Sequence, residues 1–346
     1  MKNIRAFRGL NRLSGYGVLL SLVFFSLSGC VPDTLEPPEV TSNSSWMTQT
    51  TGTASSLGGL FFIDPQRGWI SGNKGVILHT SDGGKQWVLQ ESWTKHLLVS
   101  IHFIDSQQGW VVGDKGTILH TQDGGQKWTF QHSGQKANLT AIFFVTPKQG
   151  WATGTGGTLL STQDGGEHWS YGQIRPAVVL TSIFFSDSKQ GWVAGYGGNL
   201  FYTQDGGGSW TRQSTNTDKD LQRVFFLTPK KGWVSGASGT ILHTEDSGQH
   251  WTAQSSGVPS FLPGIFFVNE KSGWAVGASG TILHTQNGGL TWEQQPSGTL
   301  EFLINAIFTR PDEGWIVGVK GTLLHTTEGG RPIPSSQGHS PQDGLK

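Results

Sequence analysis

The sequence has few charged residues, one cysteine and no apolar stretch of comfortable membrane-spanning length. Lys, Arg, Asp and Glu make up 14% of the 346 residues, whereas Gly occurs 51 times and Trp 15 times. This balance argues against a helical bundle and favours many short strands joined by tight turns. Because Cys30 is the only cysteine, an internal disulfide is excluded.

The N-terminus predicts an exported, lipid-anchored protein. Four basic residues precede the apolar segment 16–27, which leads into Leu27-Ser28-Gly29-Cys30, a match to the bacterial lipoprotein cleavage box. The alternative is an ordinary secretory peptide with a chance cysteine. We expect a signal peptide over 1–29, a lipid bilayer anchor on acylated Cys30, a flexible tether to residue 45 and a disordered tail over 331–346. Removing residues 1–29 leaves a formal charge of −4, so we expect no nucleic-acid partner.

A 41-residue repeat runs through the rest of the chain. Seven Gly-Trp pairs recur without an insertion, with Leu, Phe, Gly and Thr at fixed distances from each Trp. The pairs end at Trp69, Trp110, Trp151, Trp192, Trp233, Trp274 and Trp315. Repeats of this length, rich in Gly and β-branched residues, indicate β-propeller blades rather than helical solenoids.

One copy predicts four strands. They are 98–105, 110–113, 117–121 and 127–131, and Gly113 and Gly116 bracket a hairpin where we expect positive φ. Four strands in about 41 residues is the size of one blade. We therefore predict an all-β fold, a seven-bladed propeller of four-stranded blades over residues 46–330.

The ends of the repeat region predict a closed ring. Each of the first six copies has a Trp in its fourth strand, whereas the seventh stops at Gly330 without one. Trp46 precedes Trp69 by 23 residues, the interval that separates Trp87 from Trp110. We expect residues 46–50 to supply the outer strand of the last blade, which removes the exposed ends of the array.

The turn between the third and fourth strands carries the Asp-box pattern Thr-x-Asp-x-Gly-x-x-Trp. Its acidic or amide residue is predicted to accept hydrogen bonds from the backbone of the turn, a structural role. These residues are Asp82, Asp123, Asp164, Asp205, Asp246 and Asn287. Five histidines share one position on the third strand, His79, His120, His243, His284 and His325. Neighbouring blades hold them too far apart for one metal, so we expect packing roles and neither a metal nor a cofactor.

Some Asp-box propellers are sialidases, which makes glycan hydrolysis or glycan binding the alternative function. Resemblance to sialidases implies an arginine triad at one mouth of the channel. Here Arg67 and Arg310 belong to first-to-second-strand hairpins, Arg175 and Arg223 lie toward the opposite face, and Arg212 lies on an outer strand. We therefore expect that these arginines do not converge on one site and that the protein has no catalytic residue.

The unit Gly-Trp-x-x-Gly-x-x-Gly-x-Ile-Leu-x-Thr-x-Asp-Gly-Gly-x-x-Trp, as in 109–128, resembles the photosystem II stability and assembly factors of cyanobacteria and plastids. The resemblance covers residues 46–330. It implies a non-enzymatic propeller that binds a membrane-protein subunit and helps it into a larger complex. We also expect a monomer. Relatives with this repeat also occur in non-photosynthetic bacteria, so we expect the periplasmic side of a membrane, or the thylakoid lumen in a photosynthetic host.

Two surfaces are candidates for partner binding. The connection face is formed by the links from each blade's last strand to the next blade's first, together with the second-to-third-strand hairpins. Its candidate residues are Trp93, His96, Asp114, Arg175, Tyr196, Lys219, Asp220, Arg223, Phe261, Phe302 and Asn305, with Arg223 and Asn305 expected at the start of innermost strands. Aromatic and Arg residues on an exposed face are typical of interfaces, although Phe261 and Phe302 alternatively pack between blades. On the opposite face lies a lysine crescent, suited to an acidic partner or lipid headgroups or simply solvated: Lys148, Lys189, Lys230, Lys231 and Lys271.

Overall fold

The computed structural model describes residues 44–331, and within them it confirms the seven-bladed propeller. Seven antiparallel sheets of four strands each are formed in this part of the chain. The predicted signal peptide, Cys30 and most of the predicted tether and tail lie outside the described residues. Within 44–331, no helix has the length and apolar character to cross a bilayer.

The strands follow one another blade by blade along the chain. A short strand comes first, β1 (Met47–Thr48). Blades 1 to 3 are β2 (Leu57–Phe62), β3 (Gly68–Gly72), β4 (Ile77–Thr80), β5 (Val88–Gln90); β6 (Leu98–Phe103), β7 (Gly109–Gly113), β8 (Ile118–Thr121), β9 (Thr129–Gln131); and β10 (Leu139–Phe144), β11 (Gly150–Gly154), β12 (Thr158–Thr162), β13 (Ser170–Gln173). Blades 4 and 5 are β14 (Leu180–Phe185), β15 (Gly191–Gly195), β16 (Asn199–Thr203), β17 (Thr211–Arg212); and β18 (Leu221–Phe226), β19 (Gly232–Gly236), β20 (Thr240–Thr244), β21 (Thr252–Ser255). Blades 6 and 7 are β22 (Gly264–Phe267), β23 (Gly273–Val276), β24 (Ile282–Thr285), β25 (Glu293–Gln295); and β26 (Leu303–Phe308), β27 (Gly314–Gly318), β28 (Leu323–Thr326), completed by β1.

The hairpin between the second and third strands differs in detail from the prediction. In blade 2 it is the 3₁₀ turn Asp114–Gly116, in which Gly116 has a φ of 71°. Gly113 does not have the expected positive φ, since its φ is −168°. A Cβ on Gly113 would lie 1.9 Å from the carbonyl oxygen of Leu97, so close backbone approach is what requires glycine there. Equivalent 3₁₀ turns are Asn73–Gly75, Thr155–Gly157, Ala237–Gly239, Ala278–Gly280 and Val319–Gly321.

The ring is closed by the N-terminal strand. Met47 and Thr48 of β1 pair with His325 and Leu324 of β28, as the interval between tryptophans predicted. The Trp46 ring packs edge-on against Phe308 at 5.9 Å, the geometry that the outer-strand tryptophan adopts in the other blades.

Contact with the propeller starts before residue 46. The Ser44 hydroxyl donates a hydrogen bond of 2.7 Å to the Pro296 carbonyl, and Ser45 is buried. The last two residues expected in the tether therefore already belong to the folded domain.

Aromatic stacks join each blade to the next. The Trp69 ring on β3 of blade 1 stacks on Phe103 of blade 2 with centroids 3.7 Å apart, and its indole N–H donates to the Gly124 carbonyl of that blade. His79 stacks on the other face of Trp69 at 4.9 Å. The same Trp–Phe stack closes the ring between Trp315 and Phe62, at 3.8 Å. The repeated Gly-Trp pair is thus the blade-to-blade contact of the fold.

Candidate binding surfaces

The connection face is held in place by hydrogen bonds between its loops. In blade 1 the Ser92 hydroxyl, which follows the outer strand, donates to the Gly75 carbonyl in the hairpin at 2.6 Å. In blade 2, the Asp114 amide donates to the Leu97 carbonyl at 3.0 Å, which ties the hairpin to the entry of the innermost strand. Equivalent bonds recur around the ring, so the face is a set of pinned loops rather than free ones.

Trp93, His96 and Asp114 lie where blades 1 and 2 meet on this face. Trp93 is 73% exposed and adopts a φ of 57°, a conformation that costs a non-glycine residue energy. The His96 imidazole lies 2.8 Å from the Thr117 hydroxyl. Burial raises the pKa of Asp114, and the nearby charges of His96 and Lys115 partly offset this rise. Trp93 therefore offers an exposed aromatic surface on the same connection that carries His96.

A polar group occupies the next part of the face. The Asp220 carboxylate accepts a 2.8 Å hydrogen bond from the Gly197 amide. Burial raises the pKa of the Tyr196 phenol, and the negative charge of Asp220 adds to this effect. Lys219 pairs with Asp218 at 3.2 Å, while Arg175 is exposed in the loop between blades 3 and 4. These groups present hydrogen-bond donors and acceptors of both charges.

Phe261 and Phe302 contact each other across blades 6 and 7. Their rings are 5.9 Å apart with an interplanar angle of 28°. Neither ring is fully buried, so each retains surface toward solvent. The rings therefore pack against each other between blades and also form an apolar patch on the connection face.

Arg223 and Asn305 do not lie on the exposed face. Both belong to innermost strands and line the central channel, where Asn305 is 6% exposed. The Asn305 amide donates to the Gly58 carbonyl at 3.4 Å. Both lie at the start of innermost strands, as predicted, and residues at this position line the channel.

The channel is a cavity of about 280 Å³ lined by the innermost strands of all seven blades. One repeat position forms a level with Arg223, Asn305 and the small residues Gly59, Ser100, Ala141 and Ser182, all of which line the cavity. Gly264 holds the equivalent position in blade 6. Two residues further along each strand lies a second level, which we call the aromatic ring: Phe61, His102, Phe143, Phe184, Phe225, Phe266 and Ile307. Neighbouring rings contact one another, with centroids 4.7 Å apart for His102 and Phe143.

His102 is neutral in this setting. Its Nε2–H donates to the Phe144 carbonyl at 3.0 Å, and burial lowers its pKa to about 4. The positive charge of Arg223 contributes to the same lowering. The channel therefore carries one formal positive charge at neutral pH, that of Arg223.

Sequence reasoning missed the aromatic ring, although a signal for it exists. The residue eight positions before each Gly-Trp tryptophan is aromatic in the first six copies. An aromatic at this position was indistinguishable from the core Phe that follows it, because periodicity alone does not say which of two adjacent residues faces a channel.

The lysine crescent on the opposite face is partly neutralised. Lys231 pairs with Glu245 at 3.2 Å and with Glu270 at 3.4 Å. The side chains of Lys148, Lys189, Lys230 and Lys271 are exposed. Solvated lysines separated by the width of a blade form a weaker candidate than the aromatic connection face.

The Asp-box residues make hydrogen bonds within their own turns. Asp123 Oδ1 accepts from the Thr121 hydroxyl at 2.8 Å and from the Lys127 amide at 2.9 Å. These bonds lower the pKa of Asp123, against an opposing effect of burial. Asn287 accepts the equivalent bonds in blade 6. Its amide oxygen replaces the carboxylate oxygen, so the turn does not need a charge.

The arginines that a sialidase would use are engaged separately. Arg67 pairs with Asp64 at 2.7 Å, and Arg310 pairs with Glu313, each within its own hairpin. In the described part of the chain, neither Asp nor Glu is among the residues lining the channel, whereas glycoside hydrolysis generally needs two carboxylates flanking the bond. Among residues 44–331, no group of three His, Cys, Asp or Glu residues is placed to hold a metal.

Comparison with known proteins gives a consistent result. The family model described as "Photosynthesis system II assembly factor YCF48" matches residues 38–136, 86–176, 130–212, 173–265 and 251–335. Among solved structures, "YCF48 bound to D1 peptide" is 23% identical over 84% of this chain and 99% of that chain, with a TM-score of 0.71. YCF48 from Cyanidioschyzon merolae is 19% identical over 81% of this chain and 98% of that one, with a TM-score of 0.69. A search among curated proteins finds no match.

The fold is also shared with enzymes. The GH74 enzyme of Niastella koreensis is 13% identical over 84% of this chain and 55% of that chain, with a TM-score of 0.70. Likeness at this identity reflects the propeller architecture, which serves many unrelated functions.

Proposed function

Because the chain belongs to the photosynthesis system II assembly factor YCF48 family, we propose that it binds a protein subunit of a membrane complex and assists the assembly or stability of that complex. The observation that carries this proposal is the family match, which extends over five overlapping segments from residue 38 to residue 335. One related structure holds a D1 peptide. By analogy, we propose that this chain recognises a peptide segment of a membrane protein.

The connection face is the proposed binding surface. It combines the exposed indole of Trp93 with the apolar patch of Phe261 and Phe302 and the polar group around Asp220. Aromatic residues with partly desolvated polar neighbours are the composition of interface hot spots. Because its loops are tied together by hydrogen bonds, the face needs little ordering when it binds.

We further propose that the protein acts as a monomer without catalysis, exported and held at the membrane by lipid on Cys30. The chemistry of the box before Cys30 supports the anchor, and two acyl signals suffice for stable membrane attachment. The site is then the periplasmic side of a membrane, or the thylakoid lumen in a photosynthetic host. Substitution of Cys30 by Ser is expected to release the chain from the membrane fraction and to abolish labelling by radioactive palmitate.

Affinity purification tests the binding proposal. The tagged protein is purified from detergent-solubilised host membranes, and co-purifying subunits are identified by mass spectrometry. Trp93→Ala is expected to reduce recovery of a membrane subunit by about tenfold or more, the usual effect of losing an interface hot spot. Phe130→Ala is the matched control, because Phe130 is a 57% exposed aromatic on an outer strand away from the connection face.

The outcomes separate the proposal from its alternative. Recovery of no membrane subunit by the unmodified protein, together with turnover of a fluorogenic sialoside, would replace it with a glycan-directed function. Equal loss of recovery with both variants would place the binding surface elsewhere.

A further inference from the structure

The channel contains a positive charge for which the protein supplies no counter-charge. Arg223 is enclosed by the innermost strands of the propeller. Among residues 44–331 its guanidinium makes no ion pair and no hydrogen bond, and neither Asp nor Glu lines the cavity. Burial lowers the pKa of Arg223, yet an arginine remains protonated in proteins. Arg223 is half-buried, so water in the channel solvates its charge, and an anion would replace that water with charge-assisted hydrogen bonds.

The space around Arg223 is left open by its neighbours. At the same level of the channel, five of the other six blades contribute only Gly, Ala or Ser. The cavity of about 280 Å³ accommodates a small organic molecule beside the guanidinium, although it is smaller than the pockets that hold drug-sized ligands.

A second polar group lies beside Arg223. The Gln222 side chain lines the same cavity; its buried amide nitrogen makes no hydrogen bond of good geometry, although it is near enough to the Tyr196 hydroxyl to lower the pKa of that phenol. Together the guanidinium and the amide offer several N–H donors. Since His102 is neutral, the site has a single positive charge and suits a monoanion. The planar guanidinium fork matches a carboxylate, which it binds through two parallel hydrogen bonds.

The aromatic ring supplies the other half of the site. Phe225 lies two residues after Arg223 on β18, which places the two levels about 7 Å apart along the channel. An aromatic wall at that distance contacts the apolar part of a ligand whose carboxylate is at Arg223.

We propose that the channel is a binding site for a monovalent carboxylate with a compact apolar body, in which Arg223 and Gln222 hold the carboxylate and the aromatic ring holds the body. This site lies inside the channel, and its test does not depend on the proposed function. Two sources of this chemistry are a free organic acid and the C-terminal carboxylate of a polypeptide that enters the channel.

Calorimetric titration of the purified full-length protein in detergent tests the site. Sodium benzoate is the probe, and benzamide is the neutral control of the same shape. We expect benzoate to bind and benzamide to bind at least about tenfold more weakly, because charge-assisted hydrogen bonds are lost. Arg223→Gln is expected to weaken benzoate binding by about 10- to 100-fold, whereas Arg212→Gln, on an outer strand, leaves it unchanged.

Further titrations identify the source of the carboxylate, and further controls test whether the variants are folded. Short peptides ending in Phe, with a free or an amidated C-terminus, are titrated in parallel. If benzoate binds and neither peptide binds, the natural ligand is a free organic acid. If the peptide with a free C-terminus binds and the amidated peptide does not, the natural ligand is the C-terminus of a polypeptide. Circular dichroism checks the fold of Arg223→Gln, and Gln222→Ala provides a second variant with an expected loss of affinity. Equal binding of benzoate and benzamide, absence of binding by every probe, or unchanged binding in a folded Arg223→Gln protein overturns the proposal.

Discussion

Replacing Trp46 with Ala tests whether the N-terminal strand closes the ring. Trp46 is 5% exposed, packs edge-on against Phe308 at 5.9 Å and donates its indole N–H to Gln295 at 3.2 Å. Truncation of a buried tryptophan to Ala costs about 3–5 kcal/mol. β1 contributes two paired residues, and the Gln49 amide adds a hydrogen bond to the Leu323 carbonyl, but both side chains of β1 are exposed, so Trp46 supplies the buried side chain of this segment. We therefore expect a loss of about 3–5 kcal/mol in the free energy of unfolding.

The loss is measured by urea unfolding followed by circular dichroism, with two matched variants for comparison. Trp128→Ala removes the same contact inside blade 2, where the ring packs against Phe103 at 5.9 Å, and should cost a similar amount. Trp93→Ala removes a 73% exposed ring and should change stability by less than about 0.5 kcal/mol. If Trp46→Ala matches Trp93→Ala instead of Trp128→Ala, the reasoning about closure is refuted.

Three further predictions concern the channel, the Asp-box and the hairpins. The folded state lowers the pKa of His102 to about 4, against 6.5 for an exposed histidine. As the pH falls, the unfolded chain therefore takes up the proton at a higher pH than the folded protein does. The contribution of His102 to stability is complete above pH 6.5 and falls by about 3 kcal/mol as the pH is lowered from 6.5 to about 4. In urea unfolding, His102→Phe should flatten this pH dependence, whereas His132→Phe, at an exposed position, should leave it unchanged. Equal pH dependence of the free energy of unfolding in both variants would contradict the assignment to His102. Asp123→Ala is expected to cost about 1–2 kcal/mol by leaving a turn amide unpaired, whereas Asp123→Asn should retain most of the stability, and equal losses in thermal unfolding would refute a hydrogen-bonding role. Gly116→Ala places a Cβ 2.0 Å from a backbone oxygen, while Gly134→Ala, also at positive φ, meets no atom within 4 Å; the first should lower the melting temperature clearly more than the second, and equal shifts would mean that φ alone matters.

The fold was predictable because the length and the fixed residue spacing of the repeat are those of a propeller blade. Spacing alone located the strands and assigned Trp46 to the missing place in the seventh blade. What spacing could not reveal is the local reason for a glycine. Gly113 is required by a neighbouring carbonyl oxygen rather than by its own φ, and that neighbour is brought there by the tertiary fold.

The candidate site was predictable only in part. Trp93 was placed correctly on a connecting loop, since loops follow from strand ends. Arg223 lies at the start of an innermost strand, as predicted, but the prediction counted it with an exposed face, whereas it lines the channel. Its position depends on five other blades contributing small residues at one level, a property of the assembled ring that one copy of the repeat does not display.

Site-specific photocrosslinking in host membranes tests the central claim that the connection face binds a membrane-protein subunit. A photoreactive amino acid is placed at position 93 on that face and, as the control, at position 130 on an outer strand. The account predicts that position 93 crosslinks to a defined membrane subunit and that position 130 does not. Equal crosslinking from both positions, or none to any membrane protein from position 93, would contradict it.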